Sequence, residues 1–113
     1  MLKKKFRLSK KKDFEKILAS KRSAYGRFFA IKVYNSEQEN FRAAIIVSKK
    51  ISKKAVVRNK IRRRAYEILR VNELALKPLD IALITLPASL KANFSELSKD
   101  LFLLLKKTEV LNK

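Results

Sequence analysis

Alternating apolar and polar side chains predict two strands, at residues 28–34 and 42–48. A third segment, residues 79–86, is almost continuously apolar, which is typical of a strand buried on both faces. The polar segment 35–40 predicts a hairpin loop, so we expect the first two strands to be antiparallel neighbours. Residues 23–27 contain the only glycine of the chain and predict a turn or a short irregular strand.

The two alternating strands each have one apolar face, which belongs to the core. The other face mixes aromatic, small and basic side chains, namely Phe28, Ala30, Lys32, Tyr34, Arg42, Ala44, Ile46 and Ser48. Such a mixture is typical of a surface that stacks nucleobases and neutralises phosphates. An alternative that fits the composition equally well is a strand under a helix, with Phe28 and Tyr34 as ordinary core residues.

Apolar residues at helical spacing predict a first and a last helix. Phe14, Ile17 and Leu18 give the first helix one apolar face, and Ser9 can cap its start. The last helix follows a capping pair and carries a leucine-rich stripe, formed by Asn93 with Glu96 and by Phe94, Leu97, Leu101, Leu104 and Leu105.

The middle helix is predicted within residues 49–70, the most basic part of the chain. Its apolar stripe, which would dock on a core, consists of Val57, Ile61, Ala65, Ile68 and Leu69. Next to the stripe lie Arg58, Arg62, Tyr66 and Asn59. Their guanidinium and amide groups suit the recognition of phosphates. Arg64 borders the apolar stripe and must extend along the core edge or find a partner.

The order of these elements predicts an α+β fold. We expect a single domain, residues 1–113, arranged as a two-layer sandwich of order α-β-β(-β)-α-β-α with helices packed on a central mixed sheet. A length of 113 residues and a hydrophobic fraction of 47% are sufficient for one core. Residues 1–5 and 107–113 are expected to fray.

The net charge of +19 indicates a polyanionic partner, either a nucleic acid or an anionic membrane. A membrane is disfavoured, because no apolar run approaches the roughly 18 residues of a spanning helix and the N-terminus lacks the apolar segment of a signal peptide. The absence of cysteine removes disulfides, zinc fingers and thiol chemistry. We therefore expect a cytoplasmic protein that binds nucleic acid.

The composition offers little for catalysis. Without histidine, a hydrolytic site would depend on carboxylates, lysine or tyrosine. The acidic residues are scattered, and we interpret them as solvated structural acids; they include Asp13, Glu15, Glu37, Glu39, Glu96 and Asp100. The last two lie close to a predicted helix N-terminus, where acids stabilise the helix dipole.

Residues 47–64, VSKKISKKAVVRNKIRRR, closely resemble the signature of the protein subunit of bacterial ribonuclease P. Other matching segments occur in the order of that family: FRLSKKKDF at 6–14, RFF at 27–29, RAAIIVSKK at 42–50 and LPAS at 86–89, followed by a helix. The resemblance therefore covers nearly the whole chain.

In the ribonuclease P family the RNA subunit is the ribozyme, and it removes the 5′ leader from precursor tRNA by phosphodiester hydrolysis with bound Mg2+. The resemblance implies a left-handed β-α-β crossover, one protein per RNA subunit, and no catalytic residue or stably bound metal in the protein. It implies that the RNA subunit is bound by Lys49, Lys50, Lys53, Lys54, Arg58, Asn59, Lys60, Arg62, Arg63 and Tyr66. It implies a cleft for the leader that is lined by Phe14, Leu18, Phe28, Ala30, Lys32, Ile46 and Ser48.

The chain departs from the usual family residues at Ser52, Lys60, Arg64, Tyr66 and Leu86. Because Tyr66 replaces a common arginine while Arg64 replaces an apolar residue, we expect that one cation has moved around the helix. The main alternative function is that of a ribosomal or general structural RNA-binding protein, which would bind precursor and mature tRNA equally. An architectural DNA-binding protein would bind duplex DNA comparably well, and a nuclease acting alone is disfavoured by the lack of histidine.

Overall fold

The computed structural model describes residues 6–8, 10–36, 38–72 and 75–111. Ser9, Glu37 and residues 1–5, 73–74 and 112–113 lie outside the described part, and so do the predictions made for them. The elements, in order, are α1 Lys11–Leu18, β1 Ser23–Tyr25, β2 Phe29–Tyr34, β3 Arg42–Ile46, α2 Ala55–Val71, β4 Asp80–Thr85, a 3-10 helix Pro87–Lys91 and α3 Phe94–Lys107. The predicted α+β fold with a mixed sheet is confirmed.

The strand order in the sheet is β1-β2-β4-β3. β4 runs antiparallel to β2 and parallel to β3, so the predicted hairpin between β2 and β3 is wrong. β4 is apolar on both faces and therefore gains most from a central position between two strands. The segment from β3 through α2 to β4 is a crossover between adjacent parallel strands. Its left-handedness stays a prediction.

Helices cover both faces of the sheet. α2 and α3 pack on the face that carries Ile31, Ile45 and Leu83, which belong to the main core. α1 packs on the opposite face, where Ile17 clusters with two small residues, Ala44 and Ala82. The sheet with α2 and α3 forms two layers, and α1 partly covers the second face of the sheet.

Arg42 ties α1 to the sheet and is not available as a surface cation. Its Nε and Nη2 donate to the two carboxylate oxygens of Asp80 at 2.8 and 2.7 Å, and its Nη1 donates to Asp13 Oδ2 at 3.1 Å. The hydrogen bonds that Arg42 donates to Asp80 raise the pKa of Arg42 further above its ordinary high value. The sequence predicts Arg42 on the phosphate-neutralising face, but the two carboxylates neutralise it within the fold.

Asp100 joins α3 to the start of β2. Its carboxylate accepts hydrogen bonds from the backbone N–H groups of Arg27 at 3.0 Å, Phe28 at 2.9 Å and Phe29 at 3.2 Å. The absence of a side chain at Gly26 makes room for this contact, because a Cβ there would lie 2.6 Å from Asp100 Oδ1. The interpretation of Asp100 as a solvated acid that stabilises the helix dipole is therefore wrong.

Replacing Asp100 with alanine is expected to lower the free energy of unfolding by about 2 kcal/mol, because three backbone donors lose their acceptor. Asp100→Asn keeps one oxygen and should lose less. Lys99→Ala changes an exposed neighbour on the same helix and serves as the control. Urea denaturation measures the three values, and equal stability of wild type and Asp100→Ala would contradict the role of the carboxylate.

Both ends of α3 are fixed. Asn93 and Glu96 form the predicted capping box, in which the side chain of each accepts from the backbone N–H of the other. Beyond the helix Val110 is fully buried, and its carbonyl oxygen accepts a hydrogen bond from the N–H of Lys77 at 2.8 Å. The expected fraying from residue 107 is therefore wrong for residues 107–111.

Candidate nucleic-acid interface

Four of the predicted lysines lie together in the loop between β3 and α2. Their side chains are exposed, and they are Lys49, Lys50, Lys53 and Lys54. Ile51, between the two lysine pairs, is buried in the main core and anchors the loop, and its N–H donates to the carbonyl oxygen of Ser48. The anchored loop presents its cations on a fixed turn rather than on a free segment.

Arg58 and Ser52 hold this loop against the first turns of α2. Arg58 Nη1 donates to the carbonyl oxygen of Ser52 at 2.9 Å, and the Ser52 hydroxyl accepts from the N–H of Lys54 at 3.2 Å. The Ser52 side chain thus supplies a hydrogen-bond acceptor for the start of α2. Arg58 consequently has a structural contact in addition to its charge.

The N-terminus of α2 adds to the positive potential of the loop. The first turn of the helix contains no acidic residue, and the N-cap residue Lys54 makes no side-chain capping bond. The free N–H groups and the dipole of a helix N-terminus favour negative charge. The lysines at this end of the helix make the positive potential stronger, and the protein's own residues do not neutralise it. An external anion would neutralise this potential.

The exposed side of α2 continues this basic surface. Asn59, Lys60 and Arg63 are exposed, and Arg62 is half-buried with its Nη1 donating to Asn59 Oδ1 at 2.7 Å. A shallow groove of about 450 Å³ lies between Val56, Asn59, Arg62 and Arg63. The structure therefore brings nine of the ten residues predicted to bind the RNA subunit onto one surface, which we call the basic surface: Lys49, Lys50, Lys53, Lys54, Arg58, Asn59, Lys60, Arg62 and Arg63.

Tyr66 is the exception, because it is 7% exposed and belongs to the main core. In a helical projection Ile68, Ala65, Leu69 and Tyr66 follow one another over about 160°. The buried face of α2 is therefore wider in its second half than the predicted stripe. Arg64 has found a partner, as predicted, through a long hydrogen bond of 3.4 Å from Nη1 to the carbonyl oxygen of Ala92.

The second predicted surface lies on the sheet face that α1 partly covers. Strand register places Lys32, Ala82 and Ala44 side by side in one row, and Ala30, Ile84 and Ile46 in the next row. α1 packs over the first row, with Phe14 half-buried and Leu18 exposed. Lys32 Nζ donates to the carbonyl oxygen of Leu18 at 2.9 Å, which ties the end of α1 to β2.

The predicted cleft is corrected at Phe28 and extended at two other positions. Phe28 is 5% exposed and belongs to the main core, so the alternative of an ordinary core residue holds for it. Ile84 joins the cleft because β4, not β3, is the neighbour of β2. Tyr25 lies beside Ala30 across β1 and β2 and is exposed. Local alternation along the sequence does not identify Ile84 or Tyr25 as cleft residues, because their positions in the cleft depend on the strand order.

The basic surface and the cleft are continuous. Ile46 is half-buried at the end of β3, Ser48 is exposed two residues later, and the lysine loop begins at Lys49. A ligand that crosses the sheet face toward the end of β3 therefore reaches the first lysines directly. Among the described residues, no helix is both long enough and apolar enough to span a bilayer.

The sequence model of the family described as Ribonuclease P matches residues 2–109. The chain belongs to the ribonuclease P protein family. The ribonuclease P protein component of Streptococcus agalactiae serotype III is 35% identical over 105 residues, covering 93% of this chain and 95% of that protein.

Two solved ribonuclease P proteins have the same fold. The protein from Staphylococcus aureus superposes with a TM-score of 0.87 at 31% identity, covering 95% of this chain and 98% of that one. The protein from Thermotoga maritima, in complex with 1-(4-fluorophenyl)-2-thiourea, gives 0.81 at 28% identity, covering 88% and 97%. The chain thus shares its fold with solved ribonuclease P proteins over 88–95% of its length.

Proposed function

We propose that this protein is the ribonuclease P subunit that helps the catalytic RNA remove the 5′ leader from precursor tRNA. The observation that carries the proposal is the family match over residues 2–109, on a chain whose basic surface is continuous with a sheet cleft. In this proposal the basic surface binds the catalytic RNA, with one protein per RNA subunit in the cytoplasm. The cleft binds the single-stranded leader.

The physical contribution of the protein is electrostatic. Each phosphate that a lysine or arginine neutralises releases condensed counterions. A chain of net charge +19 therefore lowers the electrostatic cost, in free energy, of bringing two RNAs together. We propose that this raises the affinity for precursor tRNA and the productive occupancy of Mg2+, while the reacting groups belong to the RNA. The chain itself would then supply positioning and charge.

Mg2+ would enter with the RNA subunit, whose phosphate oxygens are hard ligands of the kind that this ion prefers. Within residues 6–8, 10–36, 38–72 and 75–111, no three acidic side chains come together in a way that could hold a metal ion. Asp13 and Asp80 are already ion-paired with Arg42. In this proposal the metal is bound by the RNA partner.

Single-turnover cleavage of precursor tRNA by the catalytic RNA, with and without the protein, tests the proposed function. We expect the protein to raise the apparent affinity and to lower the Mg2+ concentration required, and we expect no cleavage by the protein alone. Binding to precursor and to mature tRNA is measured in parallel with the holoenzyme. Equal affinities for the two would favour a general RNA-binding protein and contradict the proposal.

Cleft variants should separate leader binding from RNA-subunit binding. Phe14→Ala is expected to lower the affinity of the holoenzyme for precursor tRNA by about tenfold through lost stacking, and Lys32→Ala by a smaller factor. Affinity for the catalytic RNA should change little. Phe94→Ala and Lys107→Ala, exposed residues of the same types on α3, are the controls. Equal losses in both assays would mean that the cleft and the basic surface act as one site.

A further inference from the structure

Tyr25 is a large exposed aromatic residue on the edge strand β1. Its side chain is 74% exposed, and its Cα partner on β2 is Ala30. Ala24, the preceding residue, packs against the main core, so Tyr25 points to the opposite face of the sheet, the face of the cleft. The aromatic ring therefore lies at the open end of the row that continues through Ile84 to Ile46.

The row next to Tyr25 is a shallow apolar floor. Ala30 is buried between its two cross-strand neighbours, while Ile84 and Ile46 are half-buried. Adjacent strands are about 4.8 Å apart, so the row from β1 to β3 spans about 14 Å. A flat ligand on this floor would contact aliphatic side chains along the row and the aromatic ring of Tyr25 at its end.

The charge around Tyr25 selects the kind of ligand. From Lys16 to Ser36 the chain contains no acidic residue and five cations, which are Lys16, Lys21, Arg22, Arg27 and Lys32. Asp80, on the same sheet face, is ion-paired with Arg42, and the Asp100 carboxylate is held by the backbone N–H groups of residues 27–29. A second copy of this chain, with a net charge of +19, would be repelled. An unpaired nucleotide strand combines the flat apolar surface and the negative charge that this site requires.

We propose that Tyr25 stacks on a base of the single-stranded leader and extends the leader path to the β1 edge of the sheet. This inference rests on the proposed function of the cleft and adds a binding residue to it. Stacking on an aromatic face is tolerant of base identity, because every base has a π-face. Tyr25 therefore contributes affinity for an unpaired nucleotide rather than selection of one sequence.

The absence of tryptophan from the chain allows a direct test with the reconstituted holoenzyme. Tyr25→Trp introduces a single tryptophan at the site. Its fluorescence should be quenched by precursor tRNA with a leader and not by mature tRNA. An abasic nucleotide, moved one position at a time along the leader, should abolish the quenching at one or two adjacent positions.

Affinity measurements complete the test. Tyr25→Ala should weaken precursor binding by about tenfold, Tyr25→Phe should bind like the wild type, and the dependence of affinity on salt should be unchanged because no phosphate contact is lost. Phe102→Ala is the matched control, since Phe102 is an exposed aromatic residue on α3. The affinity for mature tRNA and the melting temperature should be the same in all four variants, which are Tyr25→Trp, Tyr25→Ala, Tyr25→Phe and Phe102→Ala.

Three results would overturn the inference. Wild-type precursor affinity in Tyr25→Ala, alongside a loss in Phe14→Ala, would remove Tyr25 from the leader path and leave the proposed function intact. Equal weakening of precursor and mature tRNA binding would assign Tyr25 a structural role. Equal affinity of the wild type for both RNAs would contradict the proposed function, and the inference with it.

Discussion

Replacing Asp80 with alanine is expected to lower the free energy of unfolding by about 3 kcal/mol. Asp80 is 1% exposed and accepts two hydrogen bonds from the Arg42 guanidinium, which is 17% exposed. Without the carboxylate, this cation keeps the hydrogen bond to Asp13 but stays largely removed from water. Two of the three hydrogen bonds of this largely buried side chain are lost, and only the more exposed Asp13 carboxylate remains to compensate its charge, so the loss is strongly destabilising. Denaturation with guanidinium chloride, followed by circular dichroism, measures the decrease in the free energy of unfolding.

The pair of Glu67 and Arg70 provides the matched control. It has the same chemistry, but both of its side chains are roughly half exposed, so Glu67→Ala should change stability little. Pairing raises the pKa of Arg42, so the stability that it contributes is fully present below the ordinary arginine pKa and is lost only above the folded value. The Asp80→Ala effect should therefore be the same at about pH 6 and about pH 9. Similar losses in both variants would contradict the importance of burial.

Neutralising three cations of the basic surface is expected to weaken binding to the catalytic RNA by about 100-fold and to reduce the salt slope by about three. The variant is Lys53→Gln, Lys60→Gln and Arg63→Gln combined, at three exposed positions. Arg58 and Arg62 are left unchanged, because each also makes a hydrogen bond within the protein. Filter binding across a range of salt concentrations measures both quantities.

A second triple variant controls for the total charge. Lys99→Gln, Lys106→Gln and Lys107→Gln removes the same three charges from exposed positions on α3. If the basic surface is the binding site, this control should lose far less affinity and keep most of the salt slope. Equal effects of the two triple variants would mean that net charge, and not its position, governs assembly.

Much of the fold could be predicted because its elements have clear local patterns. The apolar stripe of α3 with its capping box, and the alternation in β2, follow from spacing alone. The strand order could not be predicted in this way, because a polar segment such as 35–40 can close a hairpin or cross over one strand. The contacts of Asp100 could not be predicted for a related reason, since its partners lie more than 70 residues away in sequence.

The candidate site was predictable where charge and exposure coincide. The lysine loop and the exposed side of α2 lie where the sequence indicates, because long cationic side chains are rarely buried. Aromatic residues were harder to assign, since they suit both a core and a stacking surface. Tyr66 and Phe28 are core residues, whereas Tyr25 is exposed. The width of the buried face of α2 accounts for Tyr66, and the pairing of β1 with β2 accounts for the position of Tyr25.

The central position of β4 also constrains when the protein can fold during synthesis. β4 pairs with both β2 and β3 but follows them in the chain, after the whole of α2. When the nascent chain has emerged from the ribosome only as far as the end of α2, the cations of the basic surface are outside the ribosome. The strand that joins the sheet, β4, is not. Pairing over such sequence separations is slow relative to local helix formation. The nascent chain thus exposes its charged helix before the tertiary structure that will orient it.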